Sequence, residues 1–238
     1  MRPGPVTRRQ LAKLATTWKQ GEHILVTGST GSGKTALARH IVQIRIDRGG
    51  FVVVMCMKPL EDETITRDYA DFTRWKRWRK PGIFDRKILL WPDVRKAKGN
   101  TAEILAIQKE VFSEALDAIK HSGKYTVQID EGLYTTDPMF LNKASDMAMA
   151  HAIGRSGDLT MVTLAQRPAH LPLILYGSAA HAMIGRVREN VDLKRVAAMS
   201  GRLGSREIAG RIAELERHDF MWIPVAPDWE PEVVNLKR

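Results

Sequence analysis

Cysteine is nearly absent. The one residue, Cys56 in 238, rules out an internal disulfide framework. It lies inside the apolar run from Phe51 to Met57, where it reads as a small core residue. That run is also the purest hydrophobic stretch in the chain, and it falls far short of the roughly 18 residues a membrane span needs. The opening segment "MRPGPVTRRQ" has no apolar h-region, so export is not expected and a cytoplasmic location is. The seven histidines are scattered without metal-ligand spacing, which argues against a zinc site. Acidic residues are in deficit, 27 against 37 Lys and Arg, leaving a formal charge of +10.

The basic excess is concentrated. Between Phe72 and Lys98, ten basic residues face two acidic ones, Asp85 and Asp93. Such density concentrates polyanions, nucleic acid above all, although a solvated face that only aids solubility has the same composition. Arg74, Lys76, Arg77, Arg79 and Lys80, in "RWKRWRKPG", are the candidate nucleic-acid contacts. Trp75 and Trp78 either stack on the bases of a single strand or pack inward and anchor the segment.

Elsewhere, apolar stretches of strand length alternate with helical periods. "HILVTG" (23–28), "FVVVMCM" (51–57), "KILLW" (87–91), "YTVQID" (125–130) and "LTMVTLA" (159–165) read as strands, with two more in "AHAMIGRV" and "DFMWIPV". Helices are expected over 7–20, after Lys34, over 101–120, over 140–154, and near 191–199 and 205–217. This alternation predicts an α/β fold, a mostly parallel sheet with helices on both faces. The expected organisation is a helical extension (1–20), one catalytic domain (21–225) carrying the basic insertion (72–98), and a tail (226–238).

"GSTGSGKT", Gly28 to Thr35, fits G-x-x-x-x-G-K-[ST] at every fixed position, after an apolar strand and before a helix. Gly28 and Gly33 permit backbone angles that turn successive amides inward around phosphate oxygens. Ser29, Thr30, Gly31, Ser32 and Ala36 complete the candidate nucleotide-binding set. Lys34 reaches the β- and γ-phosphates, and the Thr35 hydroxyl is a ligand for Mg²⁺. The helix that follows adds the positive end of its dipole.

A second acidic site is expected at a strand tip, and "YTVQIDEG" supplies it. Asp130 is placed to hold Mg²⁺ through water, and Glu131 to polarise the attacking water as general base. The glutamate favours hydrolysis of ATP over kinase-type transfer. Gln128 is a departure, polar where an aliphatic residue is usual. Some 30 residues on, the strand ending at Ala165 delivers Gln166 to its tip, where an amide contacts both γ-phosphate and lytic water.

With Ala165-Gln166-Arg167-Pro168, Arg155 and Gly157 in "GRSGD", and the later "MIGRVRENVDLKRV" and "HDFMWIP", the chain resembles the FtsK–HerA group of P-loop motor ATPases from about Gly21 to Pro224. That resemblance implies a RecA-like P-loop NTPase fold of the ASCE type. It further implies an ATP- and Mg²⁺-dependent, ring-forming homo-oligomer, a hexamer or pentamer, that moves double-stranded DNA. Lacking a membrane segment or DNA-reading tail, the chain is most similar to the group's compact viral genome-packaging motors. Portal or other packaging proteins are then implied partners, and host cytoplasm the implied location. The resemblance makes Gln166 the sensor and Arg155 the arginine finger acting on a neighbour's ATP, a role worth ~10³–10⁵ in rate. Arg155 also reads as an ordinary helix C-terminal cation. Arg186 and Arg188 are alternative fingers, while Asp192 and Arg195 read as structural or intersubunit contacts. His218 stands where the group usually has glycine. Other readings are a secretion or phage-assembly ATPase of the zonula-occludens-toxin type, a nucleotide kinase, and a non-hydrolysing DNA adaptor.

Overall fold

The computed structural model describes residues 8–58, 62–187, 189–200, 204–224 and 232–235. In chain order, α1 (Arg8–Thr17) leads to β1 (His23–Thr27), α2 (Lys34–Asp47) and β2 (Phe51–Met55). After α3 (Glu63–Asp68), the basic region contains β3 (Thr73–Trp75) and β4 (Lys87–Leu90), and α4 (Thr101–Ser122) follows. Then come β5 (Tyr125–Ile129), α5 (Gly132–Thr136), α6 (Ala144–Ala152), β6 (Thr160–Ala165) and α7 (Leu173–Gly177). The chain closes with β7 (Ala179–Ile184), α8 (Asn190–Ser200), α9 (Ser205–Ala213), β8 (Asp219–Pro224) and β9 (Glu232–Asn235).

Among the described residues the strands form one sheet in the order β3-β4-β2-β5-β6-β1-β7-β8-β9. All pairings from β3 to β7 are parallel, and β8 and β9 run antiparallel at one edge. Every residue of β1 and β6 is buried, as the centre of a parallel sheet covered on both faces requires. One face packs Leu37, Ile41 and Val42 of α2, Leu14 of α1 and Trp18 just after it against Val52, Val54 and Val162. The other face packs Phe112, Leu116 and Ile119 of α4 with Met147 of α6 against Val53, Val127 and Met161. The expected α/β architecture is therefore the observed one.

Several local expectations change. The helix expected over 140–154 begins only at Ala144. Before it, Leu141 plunges into the core and the backbone closes a turn, Asn142 N–H on the Asp137 carbonyl and Lys143 N–H on the Thr135 carbonyl. The basic segment is not an open loop. It contributes β3, whose short run shows no alternation because Thr73 and Arg74 face solvent and only Trp75 is buried. Residues 232–235, expected within the tail, form the edge strand β9. No helix of the described residues is long and apolar enough to cross a membrane.

Candidate functional site

The strand order puts three motifs side by side. β6 lies between β1, which carries the glycine-rich loop, and β5, which carries the acidic pair. Thr27 pairs with Ala165 and Ile129 with Thr163, so Gln166 leaves the sheet directly between Gly28 and Asp130.

Three loop glycines have positive φ, Gly28 at 152°, Gly31 at 75° and Gly33 at 95°, angles that an L side chain rarely adopts. Gly28 and Gly33, the two fixed glycines of the motif, are both among them. The Lys34 ammonium folds back over the loop and donates to the carbonyls of Gly28 (2.7 Å) and Ser29 (3.0 Å). Burial pushes its pKa down, against the opposing pull of Glu131 and Asp130. Thr35 and Ala36 occupy the first turn of the 14-residue helix α2, where free amides and the dipole favour anions.

Asp130 immediately follows β5, its side chain 2% exposed, and the Lys58 ammonium is 3.9 Å from its Oδ2. Burial raises the Asp130 carboxyl above its usual range, with Lys58 pulling the other way. Burial likewise raises Glu131, moving a potential general base toward neutral pH. Gln166 ties the parts together. Its Oε1 accepts from Thr30 Oγ1 at 3.2 Å, and its Nε2 donates to Glu131 Oε2 at 3.3 Å. Next to it, Arg167 is ion-paired with Glu189 and, at 3.2 Å, with buried Asp192. Asp192 also accepts from Ala169 N–H at 2.9 Å, so the tip of β6 is fastened to α8. A cleft of about 650 Å³ opens beside this arrangement, walled by Ser29–Ser32, Gln166, Arg186 and the turn 216–219.

A hydroxyl and one buried carboxylate are a set that suits Mg²⁺, which usually takes one or two protein oxygens plus phosphates and waters. Thr35 and Asp130 are the residues that would hold it.

Other sequence candidates lie elsewhere. Arg155 is in the turn after α6 and abuts Gly21, just before β1. It therefore sits at the N-terminal end of the strands, a strand length (~17 Å) from its own phosphate loop. Arg186 is on the cleft wall, its Nε donating to the Leu215 carbonyl at 3.0 Å, while Arg188 falls outside the described residues. Arg195 lies over the Tyr176 ring at 5.1 Å.

In the basic region the inward-packing reading of the tryptophans is the one Trp75 follows, while Trp78 is half-buried. Trp75 is 2% exposed and packs edge-on against Trp78, which in turn meets Tyr125. The rings anchor β3 because a bare edge strand of three residues has little else to bury. Arg74 and Arg79 lie over the rings of Trp91 and Trp75. Lys76 pairs with Asp93 at 3.0 Å and Arg77 with Glu110 at 3.2 Å, leaving Lys80 exposed without a partner among the described residues. Sequence reasoning missed Lys58. Its only local signal is its place just beyond the tip of a buried strand, two positions past Cys56.

No protein-family model matches the chain, and no curated protein matches it. Solved structures do. The DNA-packaging ATPase B204 of Sulfolobus Turreted Icosahedral Virus superposes with a TM-score of 0.61 at 17% identity, over 92% of this chain and 100% of that one. VirB4 of Thermoanaerobacter pseudethanolicus gives 0.65 at 8% identity, over 91% and 89%. The pCW3 conjugation coupling protein TcpA gives 0.55 at 14% identity, over 93% of this chain and 60% of that one. The chain shares the α/β, RecA-like fold of these proteins.

Proposed function

We propose that this protein is a Mg²⁺-dependent ATPase that works as a ring and drives double-stranded DNA, in viral genome packaging or a related transfer. The observation that carries this reading is the Thr30–Gln166–Glu131 chain of hydrogen bonds, which joins phosphate loop and general base through a single amide. A nucleotide kinase has no need of such a link. A motor does, because the amide that contacts the γ-phosphate also sets the base.

In the proposed cycle the loop amides and Lys34 receive the β- and γ-phosphates. Thr35 and Asp130 hold the metal, which when bound neutralises charge building on the phosphate oxygens. Glu131 orients the attacking water and takes its proton. Gln166 exchanges its Thr30 contact for the γ-phosphate. Loss of that phosphate releases the amide, and the Arg167–Asp192 pairing passes the change to α8. Arg155, too far to act on its own chain's nucleotide, is assigned to a neighbour's in the ring. DNA is assigned to the basic edge around Arg74, Lys76, Arg77, Arg79 and Lys80, where exposed ion pairs are weak enough for phosphates to displace. The superposition with a DNA-packaging ATPase over 92% of this chain supports the packaging reading; portal-type partners and a host-cytoplasmic location are proposed with it.

The test is steady-state ATP hydrolysis with and without linear duplex DNA, at low and high salt, beside Glu131→Gln. Expected are weak basal turnover, a several-fold rise with duplex that vanishes at high salt, and a loss of about 10²–10⁴ in the variant. A dead variant with no DNA response at any salt or protein concentration would leave an ATPase but not a DNA motor, and favour protein as the cargo.

A further inference from the structure

The turn between α9 and β8 touches the phosphate loop through one side chain that the proposed chemistry does not use. His218 Nδ1 lies 3.1 Å from the carbonyl oxygen of Ser32, 186 positions away in sequence. A carbonyl only accepts, so the imidazole is the donor. His218 makes this contact from a φ of 73°, a left-handed angle that glycine adopts freely and a histidine does not. Strain of that kind persists where the surroundings over-determine it, and here they do. Asp219 N–H donates to the Glu216 carbonyl at 3.1 Å, Glu216 N–H to Asp219 Oδ2 at 2.8 Å, and Arg186 Nε to the Leu215 carbonyl at 3.0 Å. A rigid turn thus presents the ring to the loop, and Ser32 and His218 share the wall of the same cleft.

We propose that His218 is a positioning residue for the phosphate loop, fixing the Ser32 carbonyl and thereby presetting the Gly33 amide for phosphate. The proposal rests on the nucleotide-binding function given above. Planarity of the peptide carries it. The Ser32 carbonyl and the Gly33 N–H belong to one trans unit and point opposite ways, so a donor holding the carbonyl from outside turns the amide inward. Gly33 lies at φ 95° and caps α2 without a side-chain hydrogen bond. Untethered, a peptide next to glycine has more than one accessible orientation. The contact also ties the loop to β8, so the antiparallel end of the sheet bears on the nucleotide site.

The experiment is titration of a fluorescent ATP analogue into the full chain, with thermal unfolding measured in parallel. His218→Gly removes the donor and relieves the strain. It should leave the thermal midpoint level or raised, and weaken binding about two- to ten-fold, as expected for one hydrogen bond. His218→Asn tolerates the left-handed region and keeps an N–H donor, so it should recover part of the affinity. Wild-type affinity in the glycine variant overturns the assignment. An asparagine variant no tighter than the glycine one overturns it too, by reassigning the loss to backbone freedom. Lys34→Ala separates this failure from a deeper one. If wild type and Lys34→Ala bind equally poorly, the nucleotide-binding reading itself falls. If they differ and His218→Gly matches wild type, only the positioning role falls.

Discussion

Replacing Asp130 by asparagine should stabilise the nucleotide-free protein while abolishing its further stabilisation by Mg²⁺-ATP. The cation paired with the buried carboxylate is Lys58, at 3.9 Å, and Lys34 adds a weaker pull in the same direction. At an effective dielectric of about 20 that separation is worth about 4 kcal/mol. The Lys58 side chain is 36% exposed, however, and solvent screening reduces such pairs to about 1 kcal/mol or less. Against it stands the desolvation of a carboxylate whose side chain is 2% exposed, several kcal/mol by order of magnitude. Burial therefore prevails, and the carboxyl titrates above its usual range. A group raised in this way supports the fold while protonated, and that support is lost as pH rises through the folded pKa. At neutral pH the charge is thus a net cost, which the similarly sized amide removes. The expected gain is about 1 kcal/mol, or roughly 2–4 °C in the thermal midpoint for a chain of this size, measured by calorimetry at pH 7.5. Mg²⁺-ATP at a hundred times its dissociation constant should add about 2.7 kcal/mol to wild type and little to the variant. A lower midpoint for Asp130→Asn without nucleotide would refute the reasoning, since the Lys58 pair would then outweigh burial.

Gln166→Ala should lower kcat about 10²-fold, the scale for removing one transition-state donor, with nucleotide affinity almost unchanged; a matching loss of affinity would make the glutamine a binding group instead. Trp75→Ala should cost about 3–5 kcal/mol in denaturant unfolding, whereas Arg77→Ala, breaking an exposed pair with Glu110, should cost under about 1 kcal/mol. Equal costs would mean that the ring does not anchor β3. The His23 and His151 rings lie 4.3 Å apart, tilted at 42°, and burial pushes both pKa values down, His151 to about 3. Their folded values lie below the unfolded one, so stability is intact above pH ~6.5 and falls as pH drops toward about 3. The urea midpoint should decline below pH ~6, and a midpoint flat to pH 4 would contradict this.

By itself the sequence determined the central strands, the main helices and the motifs carried within them. The loop from Gly28 to Thr35 and the pair Asp130-Glu131 are local objects. They are legible because adjacency in the chain is all that defines them, and the strands bearing them are apolar runs that pack into the sheet. The alternation of strand and helix sufficed for a parallel, doubly covered sheet, because a strand buried on both faces has few other ways to satisfy its backbone. Tertiary structure alone decided what lies beside what. Gln166 meets Thr30 and Glu131 because β6 lies between β1 and β5, and strand order is a property of the whole sheet. Lys58 reaches Asp130, and His218 reaches Ser32 from 186 positions away, for the same reason. The three-residue β3 was hidden because only Trp75 of it is buried, so it shows no period. The tryptophans of the basic segment were ambiguous for a related reason. Whether a ring is buried or offered to a ligand depends on its neighbours in space, and those for Trp75 and Trp78 include Tyr125, far along the chain.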